Sequence, residues 1–192
     1  MNAAQPIRSK MHLKQIKDYY LLKKEYRNYL LVVMGLCTAL RISDMRRLSW
    51  DMVFDFTKKK IRKTIHLIEK KTGKEKIIAL NPELVKALHL YYSDLGEIAE
   101  DQPLLLSNRG QHTVISRIHA YRIIRKAGES VNTDTPVGCH SLRKTFGYFA
   151  WNGGVSPAIL MDIFNHSSMS VTRRYLGVSQ DDKNKVYMRS WC

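Results

Sequence analysis

From Tyr29 to Leu40 the chain runs through twelve residues interrupted by no polar side chain but the small Thr38, its longest apolar stretch. Crossing a bilayer takes ~20 such residues, so this segment reads as a core helix that the rest of the chain must cover. With 192 residues, 44% of them hydrophobic and 26% charged, the chain can supply that cover as one domain, and neither disorder nor a fibrous repeat is indicated. The first twenty residues alternate basic and apolar groups without the apolar centre of a signal peptide. Cys37, Cys139 and Cys192 form no C-x-x-C pair and are too few for a disulfide framework. The expectation is a soluble, cytoplasmic protein with reduced thiols.

Charge narrows the class of partner. Thirty-two Lys and Arg against seventeen Asp and Glu leave a net +15, which suits a polyanion. The surplus is uneven: residues 1–80 carry 19 basic and 7 acidic side chains, and Lys58 to Lys76 alone holds nine basic groups against Glu69 and Glu75. A lysine-rich edge hairpin that blocks aggregation would have a similar composition, but the concentration of charge favours nucleic acid, with Lys58, Lys59, Lys60, Lys70 and Lys74 as phosphate contacts. Ser93 to Gln102, with Asp94, Glu97, Glu100 and Asp101 and no basic residue, should point away from a phosphate backbone.

Periodicity predicts a mainly helical domain with one small antiparallel sheet. Residues 10–26 and Tyr26 to Leu40 have helical spacing, and Ser43 is positioned to cap a short helix with Arg41 in the elbow before it. Trp50 to Leu80 reads as strands; a two-residue Thr72-Gly73 turn would set Lys70 opposite Glu75 and Glu69 opposite Lys76, with Lys71 at the tip. Further helices are expected from Asn81-Pro82 to about Tyr92, about Val114 to Lys126, about His140 to Trp151, about Pro157 to Phe164 and about Ser170 to Leu176.

His140 and Arg143 stand three residues apart, hence on one helix face, with Leu142, Phe146 and Phe149 on the other. Phe164 to Tyr175 brings a second histidine, His166, with Tyr175 nine residues beyond it. Together with Ala39-Leu40-Arg41-Ile42-Ser43-Asp44, these segments resemble the tyrosine recombinase, or phage integrase, family over roughly Asp18 to Gly177. Its first box resembles G-L-R-x-S-E/D (Ala39 to Asp44), its second H-x-L-R-H-T-F-A (His140 to Gly147), and its third L-G-H-S-S-x-x-T-T-x-x-Y (Phe164 to Tyr175). A Lys-Thr-Gly hairpin at Lys71 lies between the first and second boxes.

The resemblance implies a recombinase catalytic-domain fold and a DNA strand exchange that uses neither metal nor ATP. Tyr175 would be the nucleophile, storing the phosphodiester energy as a 3′-phosphotyrosine ester. Arg41 and Arg143 would hold the nonbridging oxygens of the transition state. Lys71 would protonate the leaving 5′-oxygen, with Lys70 and Lys74 as its neighbours in the same turn. His140 would take or relay the tyrosine proton, His166 would hydrogen-bond the phosphate, and Asp44 would support the first arginine. The implied partners are double-stranded DNA, further copies of the chain as a tetramer on paired sites, and accessory DNA-bending proteins.

Each residue also has a plainer reading: an Arg41–Asp44 pair, a helix-capping His166, a solvated Lys71. Cys139 lacks a second member for a nucleophilic dyad. Lys144 stands where the family often has another histidine, as a phosphate contact or an outward-facing side chain, and Asn165 replaces the usual glycine, a substitution the left-handed conformation tolerates. Residues 1–177 form the expected catalytic domain, with 1–20 as lead-in and 178–192 as a tail that would dock on a neighbouring protomer. Most of the family carry a separate DNA-clamping domain ahead of this one, so the chain is expected to be a catalytic fragment or a short member. Rival functions are a type IB topoisomerase-like enzyme and a noncatalytic DNA-binding protein on the same fold.

Overall fold

The computed structural model describes residues 4–108, 112–131, 133, 136–178, 184, 187 and 188. Helix α1 (Lys10–Leu21) begins where Ser9 Oγ accepts the His12 amide. Helix α2 (Tyr26–Cys37) carries most of the apolar stretch, with Leu30, Leu31, Val32, Val33 and Met34 all buried. It packs against α1, α5 (Pro82–Leu95) and α7 (Cys139–Asn152) at the centre of the main core. The close α2–α7 approach depends on Gly35, where an added Cβ would lie 2.7 Å from Leu142 Cδ1.

Helix α2 stops at Cys37, three residues before the expected end. Thr38 Oγ1 donates back to Met34 O, and Ala39 turns the chain with φ +55. Arg41 occupies the N-cap of α3 (Ile42–Met45), and Ser43 lies inside that helix instead of capping it. Trp50–Val53 forms a short helix, α4, where strand was expected, because Trp50 is buried against Tyr91 and Tyr92 of α5.

Two antiparallel ribbons follow where one sheet was expected: β1 (Phe54–Asp55) with β2 (Lys60–Ile61), and β3 (Thr64–Ile68) with β4 (Glu75–Ala79). In the second ribbon Leu67 faces Lys76 and Ile68 faces Glu75, so the register differs by two residues from the expected pairing. The Glu69 amide donates to Lys74 O and the Gly73 amide to Glu69 O, which makes the tip a wider loop with Lys71 exposed on it. A shift of two keeps each side chain on its face, so Lys76 stays beside Glu69, diagonally instead of opposite.

Helix α5 opens at Asn81 and Pro82 as expected and runs on to Leu95. Helix α6 (Arg117–Gly128) starts later than its pattern, capped by Ser116, because Val114 bridges to Leu106. Helices α8 (Pro157–Phe164) and α9 (Met169–Leu176) complete the described fold. Asn165 closes α8 with φ 50 and ψ 49, so the left-handed turn survives without glycine. Phe164, Leu160, Leu176 and Ala39 form a second, smaller cluster, and α7 spans the seam, sending Leu142 into the main core and Phe146 into the smaller one.

Asp94, Glu97, Glu100 and Asp101 are all exposed. Of the tail, Tyr187 and Met188 are exposed, whereas Val186 and Trp191 lie outside the described residues. Among the described residues no helix is long and apolar enough to cross a membrane.

Candidate active site

Arg143 sits at that seam, 2% exposed, on the first turns of α7. Its Nη1 donates to Ala39 O and its Nη2 to Phe164 O at 2.9 Å, with the guanidinium 4.9 Å from the Phe164 ring centroid. Arg41 donates from Nη2 to the same Phe164 carbonyl at 3.3 Å. This carbonyl ends α8, where the negative end of the helix dipole favours cations. The two arginines are thus drawn together by one oxygen and by the bend at Ala39, and α3 keeps Arg41 at the elbow.

A cavity of about 340 Å³ opens beside them, lined by Arg41, Lys70, Lys71, Arg117, His140 and Arg143 among others. It unites residues of the first box, the hairpin and the second box. Lys74 is exposed and does not line it, nor do Lys58, Lys59 and Lys60, which are exposed at the β1–β2 turn. His140 is itself exposed, yet partial desolvation where it lines this cavity and then the charges of Arg143, Arg117, Arg41 and Lys144 push it below its ordinary pKa.

On the other side of Arg143 lies an aromatic group. The His166 ring stacks on Phe164 at 5.2 Å and meets Tyr175 edge-on at 4.9 Å, and its Nδ1 is 3.1 Å from Thr172 Oγ1. Burial, with Arg143, Arg41 and Lys71 adding to it, pushes His166 down to about 4. Tyr175 Oη is enclosed without a hydrogen bond of normal geometry among the described residues, though Arg143 is near enough to attract its anion. Burial outweighs that attraction and raises the phenol's pKa.

Lys144 is half-buried with Nζ 5.2 Å from the Tyr175 ring centroid, so it faces the tyrosine and is not the outward-facing side chain that was the alternative. Asp44 is fully buried, and its Oδ1 accepts the Lys70 amide at 2.9 Å. It therefore braces the hairpin backbone next to Lys71, and Arg41 does not pair with it. Arg41 instead meets Glu69, with Nη1 2.8 Å from Oε2. The sequence pairs Glu69 with its second partner Lys76 only as a cross-strand charge pair of the hairpin and gives neither a place in the site.

Among the described residues no group of His, Cys, Asp and Glu could hold a metal ion. Residues 10–181 match the phage integrase family. The chain is 37% identical over 189 residues to the probable integrase/recombinase YoeC of Bacillus subtilis (strain 168), covering 97% of each. It is 31% identical over 117 residues to tyrosine recombinase XerC of Pelobacter propionicus, spanning 61% of this chain and 38% of XerC. The fold resembles XerA recombinase, with a TM-score of 0.75 at 22% identity, over 97% of this chain and 64% of XerA. It also resembles the Tn1549 transposon integrase in complex with transposon right end DNA, with a TM-score of 0.68 at 21% identity, over 98% of this chain and 66% of that one. Three boxes meeting at one seam and a family match across nearly the whole chain agree: the protein belongs to the phage integrase family of tyrosine recombinases.

Proposed function

We propose that this protein cleaves and rejoins DNA at specific sites through a 3′-phosphotyrosine intermediate. The observation that carries the reading is the convergence of Arg41 and Arg143 on the Phe164 carbonyl, beside the His166–Tyr175 ring contact. Two guanidinium forks aimed from one place suit the nonbridging oxygens of a phosphodiester, which gain negative charge in the transition state.

In the proposed step Tyr175 Oη forms a bond to phosphorus as the bond to the 5′-oxygen breaks. The phenol proton passes to His140, whose lowered pKa leaves its ring free to accept it. A proton from Lys71 Nζ goes to the departing 5′-oxygen, and His166 hydrogen-bonds the phosphate. Attack by a 5′-hydroxyl on the phosphotyrosine reverses each transfer and rejoins a strand, so no external energy source is consumed. Because Tyr175 Oη is enclosed, α9 must turn it toward the cavity once DNA is bound. The lysines of the two ribbons supply phosphate contacts, which position DNA without reading its sequence. Exchange between two sites needs one nucleophile for each of four strands, hence four copies of the chain on paired sites, with DNA-bending proteins as accessory partners.

A nicked suicide substrate, which releases a short 5′-hydroxyl fragment on cleavage and so prevents rejoining, tests this. Wild-type protein should accumulate an SDS-resistant adduct, and Tyr175→Phe should bind the same DNA and form none. DNA binding without any adduct from the wild type would favour a noncatalytic DNA-binding role.

A further inference from the structure

Glu69 is 0% exposed, yet it stands in a site built to receive an anion. Its Oε2 accepts from Arg41 Nη1 at 2.8 Å, Thr72 Oγ1 at 2.9 Å and Asn165 Nδ2 at 2.8 Å, and its Oε1 faces Lys76 Nζ at 3.3 Å. Lys76 Nζ also donates to Ile163 O at 2.5 Å. Burial alone would raise the carboxyl pKa, but hydrogen bonds from Asn165 and Thr72 and the charges of Lys76 and Arg41 overcome it and hold the group down to about 2. It is ionised at every pH at which the protein would work.

These partners come from three separate segments: the elbow before α3, the hairpin, and the turn between α8 and α9. Leaving a buried carboxylate unpaired is costly, and both oxygens of Glu69 are met by partners from these segments, so this constellation is strongly specified. It engages Nη1 of Arg41 while Phe164 O engages Nη2, leaving the remaining N–H groups of that planar fork for the cavity that Arg41 lines. Without DNA, Arg41, Arg143 and Lys76 repel one another, and Lys76 is pushed down by burial and by both arginines.

We propose that Glu69 is a positioning residue for the reaction: held in place by Thr72 and Asn165, it pins the Arg41 guanidinium from behind and acts on cleavage through Arg41. The inference rests on the assignment of Arg41 to the scissile phosphate. A carboxylate here lowers the site's net attraction for DNA and in exchange fixes the geometry that cleavage needs. Its loss should therefore slow chemistry without weakening binding.

The test compares wild type, Glu69→Gln, Arg41→Ala and the double variant on the suicide substrate, as the rate of adduct formation with DNA saturating. Misplacing a catalytic group by ~1 Å costs ~10²-fold, and a loss of that order is expected for Glu69→Gln, with single-site DNA binding equal to or tighter than wild type. Since Glu69 acts through Arg41, the double variant should be no slower than Arg41→Ala alone. A methylphosphonate at the scissile position lacks one nonbridging charge, so it should restore Glu69→Gln and Arg41→Ala toward the wild-type rate, which a purely structural defect would not allow.

Losses that multiply in the double variant, wild-type cleavage by Glu69→Gln, or no recovery on the methylphosphonate would each overturn the proposal. If Glu69→Gln does not fold, Glu69→Gln/Lys76→Met, which removes both charges of that buried pair, carries the same comparison. Wild-type adduct formation reports on the proposed function, and the ratios between variants report on Glu69.

Discussion

Arg41 and Arg143, from opposite halves of the chain, donate to the same oxygen, the carbonyl of Phe164 at the end of α8. Because Arg143 also donates to Ala39 O, its fork bridges the first and third boxes from within the second. A lysine has no such fork. Arg143→Lys should lower adduct formation by ~10²-fold, the usual cost of losing one preorganised donor to developing negative charge. It should also cost ~1–3 kcal/mol of stability by leaving a buried carbonyl unmet. Adduct kinetics and thermal melts check the two effects, and adduct formation at the wild-type rate would contradict the role given to Arg143.

Lys71 lines the cavity, as does Lys70, whereas Lys74 does not. General acid catalysis is worth ~10²–10⁴ in rate, so Lys71→Ala should cleave ordinary DNA slower by about that factor. It should recover on DNA whose 5′-bridging oxygen is sulfur, because a thiolate departs without a proton. Arg41→Ala should gain much less on that substrate. Rescue of Lys70→Ala in place of Lys71→Ala would move the acid to that neighbour.

Gly147 lies where α7 crosses the smaller apolar cluster; a Cβ there would sit 2.6 Å from Phe164 Cζ and 2.7 Å from Leu176 Cδ2. Overpacking of this kind costs ~1–3 kcal/mol. The Phe164 ring touches both His166 and Tyr175, so the displacement reaches the site. Gly147→Ala should melt several degrees lower and lose more adduct formation than DNA binding. An unchanged melting midpoint would show that Phe164 and Leu176 can yield freely.

The folded state holds His166 at about 4 against an ordinary 6.5, through burial and then Arg143, Arg41 and Lys71. A pKa depressed by folding means that the unfolded chain binds the proton first as pH falls, so stability is full above about 6.5 and declines toward 4. Glu69 follows the same sign in a lower window, from 4.5 toward 2. Melting midpoints from pH 7.5 to 4 should fall for the wild type and fall less for His166→Gln. A wild-type midpoint that stays level across that range would contradict the burial assigned to His166.

Local signals were the legible part. Asn81-Pro82 opens α5 and Asn165 closes α8 because capping and left-handed turns involve only neighbouring residues. The three boxes led to Arg41, His140, Arg143, His166 and Tyr175, and the fold gathers them at one seam. The hairpin register differs from the expected one because a cross-strand charge pair contributes only ~0.2–1 kcal/mol, whereas unpairing a buried carboxylate such as Glu69 costs ~3–5 kcal/mol. Its partners Arg41 and Asn165 are remote in sequence, and no periodicity in the hairpin points to them. Lys76 is legible only as a cross-strand partner of Glu69, because its other contact, Ile163 O, is equally remote. The early end of α2 has a similar origin: Ala39 adopts a positive φ that alanine seldom takes, and its carbonyl is held there by Arg143.

The central claim is that Tyr175 carries the cleaved strand. After reaction with the suicide substrate, protease and nuclease digestion followed by mass spectrometry of the peptide adduct identifies both the residue and the end of the DNA attached to it. The expected product is the Tyr175 phenol esterified to a 3′-phosphate, absent from Tyr175→Phe. Attachment at any other residue, or to a 5′-phosphate, would contradict the account.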